Sequence, residues 1–490
     1  MTSRTHRREA FFGIEIRLGF PARADKPNCP RPRPAAEGIG DQLLRGLAIP
    51  TSITMTRAWF HTFGCKANQY DTERMRQSLE SSGVFPAASP DAADLAVLNT
   101  CTVTSEADRD ARRLIRRLAR DHPGLRIVVA GCSAALRAAE YTSMPEVWRV
   151  VPGQDAGDVV RASIGEGDHG LVRLRGVGSS LLARFRRGTR AWLKVQDGCD
   201  RRCSFCATRI ARGESRSRAP EEVVAEARLL AREHPELVIT GIHIGHYGQD
   251  LPGRWSLSRL CARLLEKVPE VRVRLSSIEA TEIDDLLIDL LAGSGGRLVP
   301  HLHVPLQSAS DDVLRRMRRW HTKEGYRARV LEIAARLPYL GLGADIIVGF
   351  PGESEADHAE TRALVEELPY TYLHVFPFSA RVGTAAASLP DTVPGDIKAA
   401  RARELRELGL AGGRAYRASR VGGMAEMVVE TLPEGSLPDG QEGATGLTED
   451  YLRVEVALED FGGPGRLRSG AVLRGALGGD ADRLRLTAAS

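Results

Sequence analysis

The sequence predicts an α/β protein: two strand–helix units followed by a small all-β module. Three observations carry that expectation. Short apolar strands alternate with helical stretches between Arg57 and Pro152, six further strand–helix repeats follow from Ala191, and after Arg420 short alternating strands are separated by Gly and Pro turns. At 490 residues the chain is longer than one ordinary domain and has room for several separate cores.

In the first unit, 55–153, AWFHTFG, DLAVLNT and LRIVVAG read as strands, while Gln69 to Leu79 and ARRLIRRLARDH read as helices. This alternation implies a parallel sheet with helices on both faces, a small doubly wound domain. Cys65, Cys101 and Cys132 each fall just after the C-terminal end of a strand, the edge at which open parallel sheets bind ligands. The polar, Gly-containing stretch 154–190 is expected to be a linker. In the second unit, 191–419, the strands are AWLKVQ, ELVITG, VRVRLSS, HLHVPL, GADIIVG and YLHVFPF, which make a partial (β/α)6 barrel with its chemistry at the C-terminal strand ends. AEMVVE, YLRVEVAL and AVLRGAL, within 420–490, form a small β-barrel or sandwich. Residues 1–54 contain RPRP and show no sustained period; they are expected to be a disordered leader, with Met55 as an alternative native start.

No apolar run approaches the roughly 20 residues that span a bilayer, and no secretory signal opens the chain, so a cytoplasmic location without a membrane partner is expected. In a reducing compartment the eight cysteines read as metal ligands or reactive thiols rather than a disulfide framework. A net charge of +5 permits a polyanionic partner without requiring one. Only six of the 68 basic residues are Lys, so part of the arginine content reflects composition.

GCDRRCSFC places Cys199, Cys203 and Cys206 in the loop after the first barrel strand. Three thiolates hold a cubane iron–sulfur cluster by three irons and leave the fourth open. A closed zinc site wants four ligands, and no Cys or His follows Cys206 closely enough to complete one, although a zinc knuckle remains the competing assignment. Individually, Cys65, Cys101 and Cys132 would each pass for a small buried residue; together they form a second set one ligand short of four. Cys261 falls on the apolar face of LSRLCARLLEKV and reads as core, while Cys29 lies in the leader. His301, His303 and His321 read as pocket lining or core and carry no assigned role.

With Phe205 before its last cysteine, the triad resembles the cluster loop of the radical S-adenosylmethionine enzymes. That resemblance implies a [4Fe-4S] cluster, S-adenosylmethionine at its open iron, and cofactor contacts at Phe205, Thr240, Gly241, Ser277, Glu279, Gln307 and Asp345. FHTFGCKANQYDTERM, LNTCTVTSEAD and VVAGC resemble the N-terminal domain of the methylthiotransferases, implying a second [4Fe-4S] cluster on Cys65, Cys101 and Cys132 and a TRAM-like C-terminal module. FGCKANQYDTE and TGIHIGHYGQD are most similar to the branch acting on N6-threonylcarbamoyladenosine in tRNA; other branches act on isopentenyladenosine in tRNA or on a ribosomal-protein aspartate. The resemblance implies the tRNA anticodon stem-loop as partner and an electron donor such as flavodoxin or ferredoxin. Six arginines and one Glu between Arg201 and Arg218 suit an approaching RNA, with Arg212, Arg216 and Arg218 as its expected contacts. A cobalamin-dependent radical methylase or a non-catalytic metal-binding RNA-binding protein are the alternatives of other classes.

Overall fold

The computed structural model describes residues 55–164, 181–186, 188–390, 392–431, 437, 441–462 and 467–488. The expected leader and the middle of the expected linker lie outside these residues.

The first unit runs β1 (Arg57–Thr62), α1 (Lys66–Ser81), β2 (Phe85–Pro86), β3 (Leu95–Thr100), α2 (Ser105–Asp121), β4 (Arg126–Gly131), α3 (Cys132–Leu136), α4 (Ala138–Thr142), β5 (Arg149–Val150) and α5 (Ala156–Ile164). The sheet is parallel throughout, in the order β2-β1-β3-β4-β5, so the chain reverses direction across the sheet between β1 and β3. Alternate residues of each strand point to opposite faces. Phe60, Leu95, Val97 and Val128 pack against Met75 and Leu79 of α1 and Val159 of α5, while Ala96, Leu98, Ile127 and Val129 pack against Leu114, Ile115 and Leu118 of α2. The expected linker is thus corrected at its start: Ala156–Ile164 is a helix belonging to the first core, because Val159 supplies an apolar contact that a strand-focused reading of 154–164 passes over.

The second unit continues with β6 (Arg190–Lys194), β7 (Gln196–Asp197), α6 (Thr208–Arg212), β8 (Arg216–Ser217), α7 (Pro220–Leu230), β9 (Glu236–Thr240), α8 (Leu257–Lys267), β10 (Arg272–Leu275), α9 (Asp285–Gly293), β11 (His301–His303), α10 (Asp311–Arg316), α11 (Lys323–Arg336), β12 (Gly341–Val348), α12 (Glu355–Glu367), β13 (Tyr372–Pro377) and α13 (Gly395–Arg420). Parallel pairing gives β6-β9-β10 and β11-β12-β13, joined by the bridges Val273 to Leu298 and Ser277 to His303. The six expected strands therefore make a partial barrel. Outward residues such as Leu193, Leu237, Ile239, Val273, Leu302 and Ile346 share one core with the surrounding helices, while Arg274, Glu236, His303, Asp345 and Tyr372 turn inward.

The first unit covers the open side of this barrel. On the β6 side, Trp192 Nε1 donates to Gln69 Oε1 at 2.6 Å and Lys194 Nζ to Asp71 Oδ1 at 2.6 Å. Beyond β13, Arg381 Nε donates to the carbonyl of Thr102 at 3.0 Å.

β14 (Met424–Thr431), β15 (Gly443–Thr448), β16 (Arg453–Ala457), β17 (Val472–Gly479) and β18 (Leu484–Ala488) close into a barrel in the order β14-β15-β16-β18-β17. The turn after β15 plugs the floor of the larger barrel: Arg274 donates to the carbonyls of Glu449 at 3.0 Å and Thr448 at 2.9 Å, and Tyr451 stacks on His301 with centroids 4.3 Å apart. Arg274 also holds Glu236 Oε1 at 2.7 Å, with Arg272 on the other oxygen at 2.6 Å. Burial alone would raise the Glu236 carboxyl, but the two guanidiniums hold it well below the usual carboxylate range. Arg274→Met leaves Arg272 as the close partner of this carboxylate and frees the plug, and is expected to lower stability by about 1–3 kcal/mol, read as a lower denaturation midpoint.

Candidate active site

The barrel's cysteine loop follows β6 and is closed at its base by a short antiparallel pair, β7 with β8. Gly198 opens it at φ 71°, and a Cβ there would lie 1.8 Å from the Glu214 carbonyl oxygen. The loop is anchored by Cys199 N donating to the Gly213 carbonyl at 3.0 Å and Ser204 N to the Met317 carbonyl at 2.9 Å. Each of two cysteine sulfurs has a nitrogen neighbour: His243 Nδ1 lies 3.5 Å from Cys199, and Arg319 Nη1 lies 3.6 Å from Cys203. His243 in turn shares Glu282 with His246, at 2.8 and 3.3 Å. Burial opposes ionisation of Glu282, yet hydrogen bonds from the two imidazoles hold it down to about 2.

Cys65, Cys101 and Cys132 end β1, β3 and β4 at the reversal point of the first sheet. A Cβ on Gly64, at φ 90°, would sit 2.3 Å from Cys101 Sγ, so glycine is what allows that sulfur to lie against the segment carrying Cys65. Asn68 donates to the carbonyls of Phe63 at 2.9 Å and Thr100 at 3.0 Å, tying the β1 and β3 ends together.

Arg212 joins the two sites. Its fully buried guanidinium donates to Cys132 Sγ at 3.1 Å, Asp197 Oδ1 at 2.9 Å, Asn68 Oδ1 at 2.5 Å and Asp71 Oδ2 at 2.8 Å. Lys194 bridges the same two carboxylates at 2.6 and 2.7 Å.

Both cysteine groups fit iron–sulfur clusters by their donor chemistry. Burial pushes the thiols of Cys101 and Cys199 up to about 12, and those of Cys132 and Cys203 upward, so anionic sulfur here calls for a bound cation. Neither group has the tighter spacing, ligand atoms within 4.8 Å of one another, that His243/His246/Glu282 and His303/Asp345/His374 show among the described residues. Thiolates bound to separate irons of a cubane lie further apart than the ligands of one ion.

The other expected contacts divide. Ser277 is exposed, Asp345 takes His303 at 3.0 Å and His374 at 3.2 Å, and Gln307, at φ 64°, bonds to either side of Ile346 on β12, its N–H donating to the Asp345 carbonyl and its carbonyl accepting from Ile347 N. Glu279 is paired with Arg319. Thr240 is buried, and Gly241 is pressed on Gln196, whose carbonyl oxygen a Cβ would meet at 2.9 Å; this glycine serves backbone packing. Phe205 packs into the apolar cluster of Val313, Met317, Phe350 and Ala386, so its ring seats the loop.

Arg212 and Arg218 are corrected as RNA contacts. Arg212 is spent on the buried network, and Arg218 pairs with Glu226 at 2.9 Å and donates to Tyr70. Arg216 is exposed. Around the loop, Arg201, Arg202, Arg209 and Arg318 line a cavity of about 320 Å³ together with Cys203 and Cys206. Nothing in the local sequence singled out Asp71 or Arg319 on its own; the i, i+3 spacing of Asn68 to Asp71 and of His243 to His246 was the available signal.

A family model described as Radical SAM superfamily matches residues 193–365, and one described as Uncharacterized protein family UPF0004 matches residues 57–153. The Threonylcarbamoyladenosine tRNA methylthiotransferase MtaB of Bacillus subtilis is 38% identical over 413 residues, which cover 82% of this chain and 90% of that protein. The chain belongs to the tRNA methylthiotransferase family. Its fellow member from Rickettsia prowazekii, under the same description, is 38% identical with 75% and 86% covered. The tRNA-2-methylthio-N(6)-dimethylallyladenosine synthase of Carboxydothermus hydrogenoformans is 32% identical with 71% and 82% covered. Among solved structures, the radical S-adenosylmethionine methyltransferase TsrM from Kitasatospora setae aligns with a TM-score of 0.50 at 15% identity, covering 68% of this methylthiotransferase and 74% of that chain, a likeness of fold. As a radical S-adenosylmethionine methylthiotransferase, the protein is an enzyme whose cofactors are S-adenosylmethionine and [4Fe-4S] clusters. Among the described residues no helix is long and apolar enough to cross a membrane.

Proposed function

We propose that the chain inserts a methylthio group at C2 of N6-threonylcarbamoyladenosine at position 37 of tRNA, presented on the anticodon stem-loop. The observation that carries this reading is the meeting of two three-cysteine sites through Arg212, in a chain 38% identical to two relatives described as threonylcarbamoyladenosine tRNA methylthiotransferases. Cys199, Cys203 and Cys206 would hold the cluster that binds S-adenosylmethionine, and Cys65, Cys101 and Cys132 the second. Radical chemistry and the sulfur to be transferred are what the cofactor and the two clusters supply when bound.

The chain's own side chains hold and tune these sites. His243, Arg319 and Arg212 each bring a nitrogen to a cysteine sulfur, the kind of outer contact that fixes ligand orientation and would tune a cluster's reduction potential. Phe205 and its apolar neighbours screen one side of the barrel loop from water. Ser277 after β10 and Asp345 on β12, which flank β11, would meet the cofactor or the base. In this reading 55–164 carries the sulfur site, 190–420 the radical site, and the C-terminal barrel is the TRAM-like module. The arginine-lined cavity beside Cys203 and Cys206 suits an acidic electron donor such as flavodoxin or ferredoxin, and exposed Arg216 suits an RNA phosphate.

Nucleoside mass spectrometry of tRNA from a host lacking its own methylthiotransferases, with and without this chain, tests the reading. Gain of the methylthio form of threonylcarbamoyladenosine is the expected result; gain only on the isopentenyl nucleoside moves the chain to that branch. Ala at Cys65, Cys101 or Cys132 is expected to spare part of the cofactor cleavage and to eliminate thiolation. Retained thiolation in Cys65→Ala would remove the second cluster from the mechanism.

A further inference from the structure

The lumen of the barrel is lined by charge. Lys66, the first residue of α1, points its ammonium at Trp192 on β6, 5.9 Å from the ring centroid. Arg190, Arg274, Glu236 and His301 surround it electrostatically from the floor side. The arginines there have carboxylates of their own: Arg190 meets Glu430 at 2.6 Å, and Arg272 and Arg274 share Glu236 at 2.6 and 2.7 Å. The acid nearer the mouth, Asp345, is held by His303 and His374. Among the described residues Lys66 has no carboxylate at ion-pair distance, and it is half-buried rather than enclosed. Among the described residues the Lys66 ammonium is thus a lumen cation left without an ion pair, and it is partly exposed to a molecule entering the barrel.

We propose that the Lys66 ammonium binds the carboxylate of the substrate's threonyl side chain, and that this pairing selects a carboxylate-bearing adenosine over one with an apolar N6 chain. The inference rests on the function proposed above. An apolar chain would bury this ammonium beside hydrocarbon with no anion to replace its water, a costly exchange, whereas a carboxylate completes a charge-assisted pair. A site built around such a group discriminates sharply against analogues that lack its partner. Because Lys66 directly follows Cys65, adjacent residues set the position of the threonyl end and of the sulfur site.

The test uses the full chain with its clusters, Lys66→Met and Lys66→Arg, and two anticodon stem-loop RNAs: one carrying threonylcarbamoyladenosine, the other its threoninamide counterpart. Equilibrium binding is measured without S-adenosylmethionine, alongside steady-state thiolation and iron and labile sulfide content. The unmodified chain is expected to bind the carboxylate RNA about 10- to 100-fold more tightly than the amide. Lys66→Met is expected to bind both at the amide's level, with KM raised more than kcat is lowered on the carboxylate RNA, and with iron and sulfide unchanged. Lys66→Arg keeps most of the preference. Equal losses on both RNAs, or lost iron in Lys66→Met, would place Lys66 in service of the cluster and overturn the proposal. If the unmodified chain with intact clusters thiolates neither RNA, the proposed substrate falls and this inference with it; if it thiolates the carboxylate RNA and Lys66→Met still prefers it, Lys66 alone is excluded.

Discussion

Cys199→Ala is expected to eliminate cleavage of S-adenosylmethionine, leaving no 5′-deoxyadenosine above the level of iron-free protein. With Cys199 gone, two cysteines remain in a loop held by backbone hydrogen bonds from Cys199, Ser204 and Cys206, and the described structure offers no further cysteine there to replace it. His243, 3.5 Å from the missing sulfur, is engaged by Glu282. The same measurement grades the neighbours: His243→Ala and Arg319→Met touch a ligand from outside and are expected to cost about 10–100-fold. Full cleavage activity in Cys199→Ala would remove the triad from the radical chemistry altogether.

Arg212→Met is expected to cost about 3–5 kcal/mol of stability, because it leaves Asp71 and Asp197 with Lys194 as their remaining cation and breaks the link from the barrel loop to Cys132. Arg212→Lys should recover little of this, since a point charge cannot reach four partners that a guanidinium spans. Thermal denaturation checks the stability loss, and the salt dependence of tRNA binding checks the alternative. If Arg212 neutralised an RNA phosphate, the slope of log affinity against log salt would fall by about one in the variant. The buried geometry predicts an unchanged slope, whereas Arg216→Ala is expected to reduce it.

How far the sequence reaches is clear from particular residues. Strand–helix alternation made both parallel sheets legible because the two periods, 2 and 3.6, are written locally in each segment. The six cysteines stood out in the sequence because cysteine is rare elsewhere in this chain and these six follow strand ends, a placement that suits metal ligation. What local pattern cannot carry is the pairing of charges distant in sequence. Arg212 looked like a surface arginine in a basic loop, and what removes it from the surface is Asp71, 141 residues earlier in the chain. Helix α5 and the long α13 were hidden for a related reason: α5 is short and α13 has few large apolar residues, and the packing of Val159 and Leu405 against existing cores completes them.

The sequence by itself thus determined the fold class and the family, and singled out the two cysteine sets proposed as ligands, since each rests on residue type and spacing along the chain. The tertiary structure decided which arginines are engaged, that the first unit closes the open side of the barrel, that the turn ending in Tyr451 seals its floor, and that Lys66, among the described residues, stands in the lumen without a carboxylate at ion-pair distance. Burial and charge compensation are properties of what surrounds a side chain in space, and that neighbourhood is assembled from segments that know nothing of one another until the chain is folded.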